Sequence, residues 1–89
     1  MTIRQEFIAR LPEKAFDWEH SLGRFLLSLE ELRAHLAEHQ LTEGWEQDAA
    51  NMDEALTLGW KVIEEDGWDD GDWFSFWNFI SLNMRRWWD

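Results

Sequence analysis

Four aspartates, Asp66, Asp69, Asp70 and Asp72, fall in one turn bracketed by Gly67 and Gly71, which runs straight into the aromatic string WFSFWNF at residues 73–79. Oxygen donors at this density suit a hard divalent cation such as Ca²⁺. The spacing is not that of an EF-hand loop, because Trp68 takes a ligand position and the trailing Glu is absent. The acids are therefore expected to stay solvated, with Asp69, Asp70 and Asp72 favouring the positive end of a following helix. A second grouping, Glu31, His35 and His39, repeats at four-residue steps and shares a helix face, which is zinc-like in residue type. That face points away from the leucine stripe of the same segment, and no other segment supplies converging ligands. Asp17-x-x-His20 is the nearest approach to the Glu-x-x-His unit of a di-iron bundle, which needs two such units. No metal and no cofactor is expected on this reading.

Covalent catalysis finds no better footing. Ser21, Ser28, Ser75 and Ser81 sit in no nucleophile elbow. A chain of 89 residues is not expected to hold a pocket above about 300 Å³ beside its core. The glycines at 67 and 71 cannot cradle a phosphate, since the surrounding carboxylates repel it. Direct nucleic-acid binding fails on the same ground, and an enzyme is not expected.

The elements that must position these residues have to come from one small domain, residues 1–89. Cysteine is absent, so neither a disulfide framework nor a thiolate site is available, and a reducing, cytoplasmic setting is expected. Eight Trp and six Phe offset the small size, because each enclosed ring buries roughly 150–250 Å². The first residues mix charge with few apolar positions, and neither a signal nor a transit peptide is expected there. The longest apolar-rich run, residues 73–84, is interrupted by Ser75, Asn78, Ser81 and Asn83 and is shorter than the ~20 residues of a membrane span. Interfacial membrane helices carry basic residues, whereas this chain has a net charge of −11, so no membrane partner is expected.

Periodicity predicts an all-α fold, a small bundle of three to four helices with a Trp/Phe-rich core. Thr2-x-x-Gln5 is a capping-box pattern for a first helix to about Arg10, with Ile3, Phe7 and Ile8 on one side. Pro12 suits the first turn of a second helix reaching Gln40, whose stripe is Trp18, Leu22, Phe25, Leu29, Leu32 and Leu36. Gly23 inside that helix marks a close approach by a neighbouring ring. Thr42 is placed to cap a third helix with the seam Trp45, Ala49, Met52, Leu56, Gly59 and Ile63. Asp72 is placed to cap a fourth, to about Trp88. Aromatic residues also favour strands, but polar positions at Ser75, Asn78, Ser81 and Arg85 recur at threes and fours. Trp18, Trp45, Trp60, Trp73 and Trp77 match the seams and read as core. Phe74, Phe79, Leu82, Trp87 and Trp88 exceed what one bundle face covers, and some of them are expected to form a second, apolar interface.

Eleven of the nineteen acids lie between Glu43 and Asp72, against Lys61 alone. Over about 45 Å of helix this is one charge per ~4 Å, near the ~3.4 Å of a single DNA strand. Glu43, Glu46, Asp53, Glu54, Glu64 and Glu65 are expected to form a carboxylate face opposite the Trp45 seam, continuing into Asp66, Asp69, Asp70 and Asp72. Trp68 and Trp73 beside them are the expected anchors, Trp being a frequent hot spot. The expected function is a small acidic binding protein that docks on a basic protein and inhibits or occludes it. A nucleic-acid-binding enzyme suits that description of a partner, as for anti-CRISPR, anti-restriction and toxin-immunity proteins. The alternative is a structural accessory subunit or homodimer held by the aromatic C-terminal helix.

Overall fold

A computed structural model describes residues 1–13, 15–40 and 43–88. Among the described residues there are four helices and no strand: α1 (Ile3–Arg10), α2 (Trp18–His39), α3 (Trp45–Glu64) and α4 (Asp70–Trp87). The expected all-α bundle is the fold. Among the described residues no helix is long and apolar enough to cross a membrane.

Local chemistry sets the ends of the helices. Thr2 caps α1 in a complete capping box, its hydroxyl accepting from the Gln5 N–H while Gln5 Oε1 accepts from the Thr2 N–H. The second helix begins at Trp18, not at Pro12. Asp17 accepts from the His20 N–H at 2.8 Å and so supplies a stronger start, while Glu13 N–H closes a turn back onto the Arg10 carbonyl. Asp17 therefore acts as a helix cap, and the Asp17/His20 spacing needs no metal. Thr42, expected to cap α3, lies outside the described residues; the residue at that cap is Gly44, with no side-chain hydrogen bond. Asp69, rather than Asp72, caps α4 by accepting from the Asp72 N–H at 3.0 Å, a bond of about 1 kcal/mol.

The central helix is α3, against which the other three lie. Residue pairings fix the directions. Gly59 faces Leu26 and Asp53 pairs with Arg33, so α2 and α3 are antiparallel. Asp48 pairs with Arg86 and Lys61 with Asp72, so α4 is antiparallel to α3 in turn. Leu22, Leu26, Leu29, Met52, Ala55, Val62, Phe76 and Ile80 form the closed core. Leu26, off the predicted stripe of α2, is fully buried because α2 meets α3 on one flank and α1 on another. The ring of Phe7 lies directly over Gly23, as the glycine implied, and pins α1 in place.

Several aromatic assignments change. Trp18 and Trp77 are not enclosed core; each keeps over a third of its surface in water. Trp87, assigned to an exposed interface, is buried, and Phe79 is half-buried against the same cluster. Both turn inward because α4 is flanked by α3 along its length, with Asp48 and Arg86 tying down its last turn. Trp88 leans on Phe25 with ring centroids 5.6 Å apart and is partly covered. What remains outside is Phe74 and Leu82, about 70% exposed.

Candidate functional site

The chain reverses between α3 and α4 through a Schellman turn. Gly67 N–H donates to the Val62 carbonyl and Asp66 N–H to the Ile63 carbonyl. Asp66 occupies the left-handed position, φ 54°, where glycine is preferred, and Gly67 follows at φ 71°. This tight turn makes a tip where α3 ends and α4 begins. Glu64, Asp66, Asp69 and Asp70 are all exposed there, with no ion-pair partner among the described residues.

The acids do not all face one way, and they do not all stay unpaired. Lys61 Nζ lies 3.1 Å from Asp72 and 4.0 Å from Glu65, so the one base of the segment neutralises its inner wall. Asp53 is held by Arg33 through two hydrogen bonds, 3.0 and 3.2 Å. Asp48 is buried and bonded to Arg86 at 2.6 Å, so it belongs to the α3–α4 interface and drops out of the array of eleven acids. Glu43, Glu46 and Glu54 are exposed as expected. Twenty residues of α3 extend about 30 Å, and the chain then folds back, so the array is shorter than a straight rod of eleven charges.

Among the described residues, the carboxylates that converge are Glu65, Asp69 and Asp72, within 4.8 Å of one another. This is a different set from the four aspartates of the sequence. Asp66 turns to the opposite side, toward Glu19, and Asp70 faces solvent. Lys61 already supplies positive charge to two of the three. On α2, His35 and His39 rest on each other at 4.4 Å on an exposed face.

Burial and the neighbouring Asp72 push the Glu65 carboxyl above its usual range, while the Lys61 ammonium 3.1 Å away holds Asp72 below its own. The native state thus binds a proton at Glu65 more tightly than the unfolded chain does. Stability from Glu65 is complete below the ordinary glutamate range and is lost as pH rises through its raised value; the Asp72 contribution is lost only at lower pH. The thermal midpoint is expected to rise when pH falls from about 7.5 to about 5, and Glu65→Gln should flatten that rise. A rise that Glu65→Gln leaves unchanged contradicts the raised Glu65 carboxyl.

Aromatic residues back the tip. Trp18 meets Trp73 edge to face at 5.1 Å, Trp73 meets Trp77 at 5.7 Å, and Trp77 meets fully buried Phe76 at 4.9 Å. This ladder runs from surface to core and stiffens the site. Trp68 stands 86% exposed at the apex, whereas Trp73 is half-buried and shows only part of its ring. Sequence reasoning missed Trp18, which lies beside Asp66, Asp70 and Phe74 around a small hollow of about 250 Å³. Its role comes from the tertiary arrangement: it follows the Asp17 cap and faces Gly67, where a side chain would press on the Trp18 ring. No protein family, curated protein or solved structure matches the chain.

Proposed function

We propose that the chain is a binding protein whose α3–α4 tip docks on a basic site of another protein and occludes it. The observation that carries this reading is the placement of exposed Trp68 and Phe74 among Asp66, Asp69 and Asp70, acids without an ion-pair partner among the described residues. Unpaired charge steers a basic partner in and raises the association rate, and rings removed from water slow its departure. A basic site built to hold nucleic acid offers the complementary surface. The pairing of Asp48, Asp53 and Asp72 narrows the electrostatic match to the tip and the outer face of α3.

The test is capture of partners from host lysate at low and then high salt, by the wild type and by a variant carrying Glu64→Gln, Glu65→Gln, Asp69→Asn and Asp70→Asn. Asparagine caps a helix as well as aspartate does, so α4 keeps its start. Capture that declines steeply with salt and at least tenfold in the neutral variant is the expected result. A partner held equally by both proteins at all salt concentrations sinks the reading. That outcome favours the second one, a subunit or homodimer contact through the outer face of α4, where Phe74 and Trp77 border a shallow groove of about 570 Å³.

A further inference from the structure

A cleft of about 510 Å³ opens between α1, the first turn of α2 and the end of α3, on the other side of Asp66 from the aromatic hollow. It exceeds what a chain of this length was expected to hold, because short α1 lies across the α2–α3 pair like a lintel and leaves a gap along its length. Its apolar wall is Ile3, Phe7 and Ile63. Its rim holds five carboxylates, Glu6, Asp17, Glu19, Glu64 and Asp66, against Arg10.

Two features of the cleft lining bear on what it could hold. Glu19 and Asp66 come from different elements and both line the cleft; burial, followed by the neighbouring Asp66, raises the Glu19 carboxyl above its usual range. Two acids brought to one cleft gain from a cation placed between them. The second feature is independent. His20 is 8% exposed and lines the cleft, and its Nε2 accepts from Arg24 Nε at 2.9 Å, which puts the ring proton on Nδ1. That Nδ1–H has no partner among the described residues. A site with a carboxylate pair, an apolar wall and a spare donor suits a cation with an alkyl stem and a carbonyl beside it.

We infer that this cleft receives an arginine or lysine side chain of a basic partner protein, with the stem against Phe7 and Ile63, the charge at Glu19 and Asp66, and a backbone carbonyl at His20. The inference rests on the docking reading above and extends it to a second, separate contact. A free polyamine supplies charge and stem but no acceptor for His20, which is why a polypeptide is the occupant.

The probe is N-acetyl-arginine N-methylamide, titrated into the intact protein and followed by amide chemical shifts of Phe7, His20 and Ile63. Saturable shifts confined to the cleft are expected, with a Kd of about 0.1–1 mM, the range such a small ligand reaches. The uncharged citrulline analogue should not saturate, and a variant with Glu19→Gln and Asp66→Asn should bind the arginine probe at least tenfold more weakly. His20→Phe should weaken that probe more than it weakens butylguanidinium, which lacks the carbonyl. Equal binding of the citrulline analogue, an unchanged Glu19/Asp66 variant, or unsaturable shifts spread over the acidic surface would overturn the inference. Tip docking is judged separately. If cleft binding fails while the tip variant still loses its partner, the cleft falls and docking stands; if cleft binding holds while the tip variant keeps its partner, docking at the tip falls.

Discussion

Phe76→Ala is expected to lower the unfolding free energy by about 3–5 kcal/mol, the range for a large aromatic removed from a closed core. Phe76 is 0% exposed, and its ring lies so close to Gly59 that a Cβ there would be 2.9 Å from it. It is the side chain through which α4 meets α3 at the centre of the cluster. Domains of this size are stable by roughly 4–13 kcal/mol, so the loss is a large part of the total. The thermal midpoint should fall by more than about 10 °C. Collapse into the void is resisted on three sides by Leu26, Gly59 and Trp77, none of which can move inward without opening another gap. Phe76→Leu, which restores most of the volume, should cost no more than about 1.5 kcal/mol beyond its altered shape. A midpoint for Phe76→Ala within about 3 °C of wild type would show that the aromatic ladder is not anchored in the core, and the stiffness claimed for the tip would go with it.

Gly23→Ala tests a choice between two opposing effects. In a free helix the change would stabilise by about 1 kcal/mol. Here the new methyl meets the Phe7 ring, whose Cδ2 would lie 2.7 Å away with two further ring atoms closer still. Phe7 is also flanked by His20 at 5.6 Å and Trp60 at 5.8 Å, so it can yield only toward the cleft, giving up those ring contacts. Overpacking of this kind costs about 1–3 kcal/mol and should win. The bifurcated bond that Arg4 Nε donates to the two Glu30 carboxylate oxygens, at 2.8 and 2.9 Å, is exposed and too weak to hold α1 by itself. The eight residues of α1 are too few to remain helical alone. The expected result is lower stability with faster amide exchange confined to α1, and weaker binding of cations in the cleft that α1 roofs. In a Phe7→Ala background the same substitution should become stabilising. Stabilisation in the wild-type background would mean that Phe7 does not occupy the Gly23 notch.

Particular residues show why some of this was legible in the chain and some was not. The α2 stripe from Leu22 to Leu36, the α3 seam from Ala49 to Ile63 and the Gly23 notch are local statements that stand in the structure, whereas Trp18 at the head of the stripe is part-exposed and Leu26, Ala55 and Val62, off both lines, are fully buried. Helix starts were less legible. Pro12 and Asp72 are each compatible with a first turn, but only a hydrogen-bond competition decides between them and Asp17 or Asp69. The surplus aromatics of α4 were rightly seen as more than one face could cover. Which ones stay outside depended on where α3 and the Asp48–Arg86 bond press against that helix.

Charge divides in the same way. Composition alone established a strongly acidic, cysteine-free, aromatic-rich helical chain with its negative charge gathered between Glu43 and Asp72, because these are properties of residue type and order. The partner of each acid is a property of distances between residues tens of positions apart. Asp48 found Arg86, Asp53 found Arg33, Asp66 turned toward Glu19, and α1 closed over a cleft that no single segment encodes. Coulomb attraction and burial act across the folded gap rather than along the chain, so only the tertiary arrangement decided which carboxylates remain unpaired and which the fold had already used.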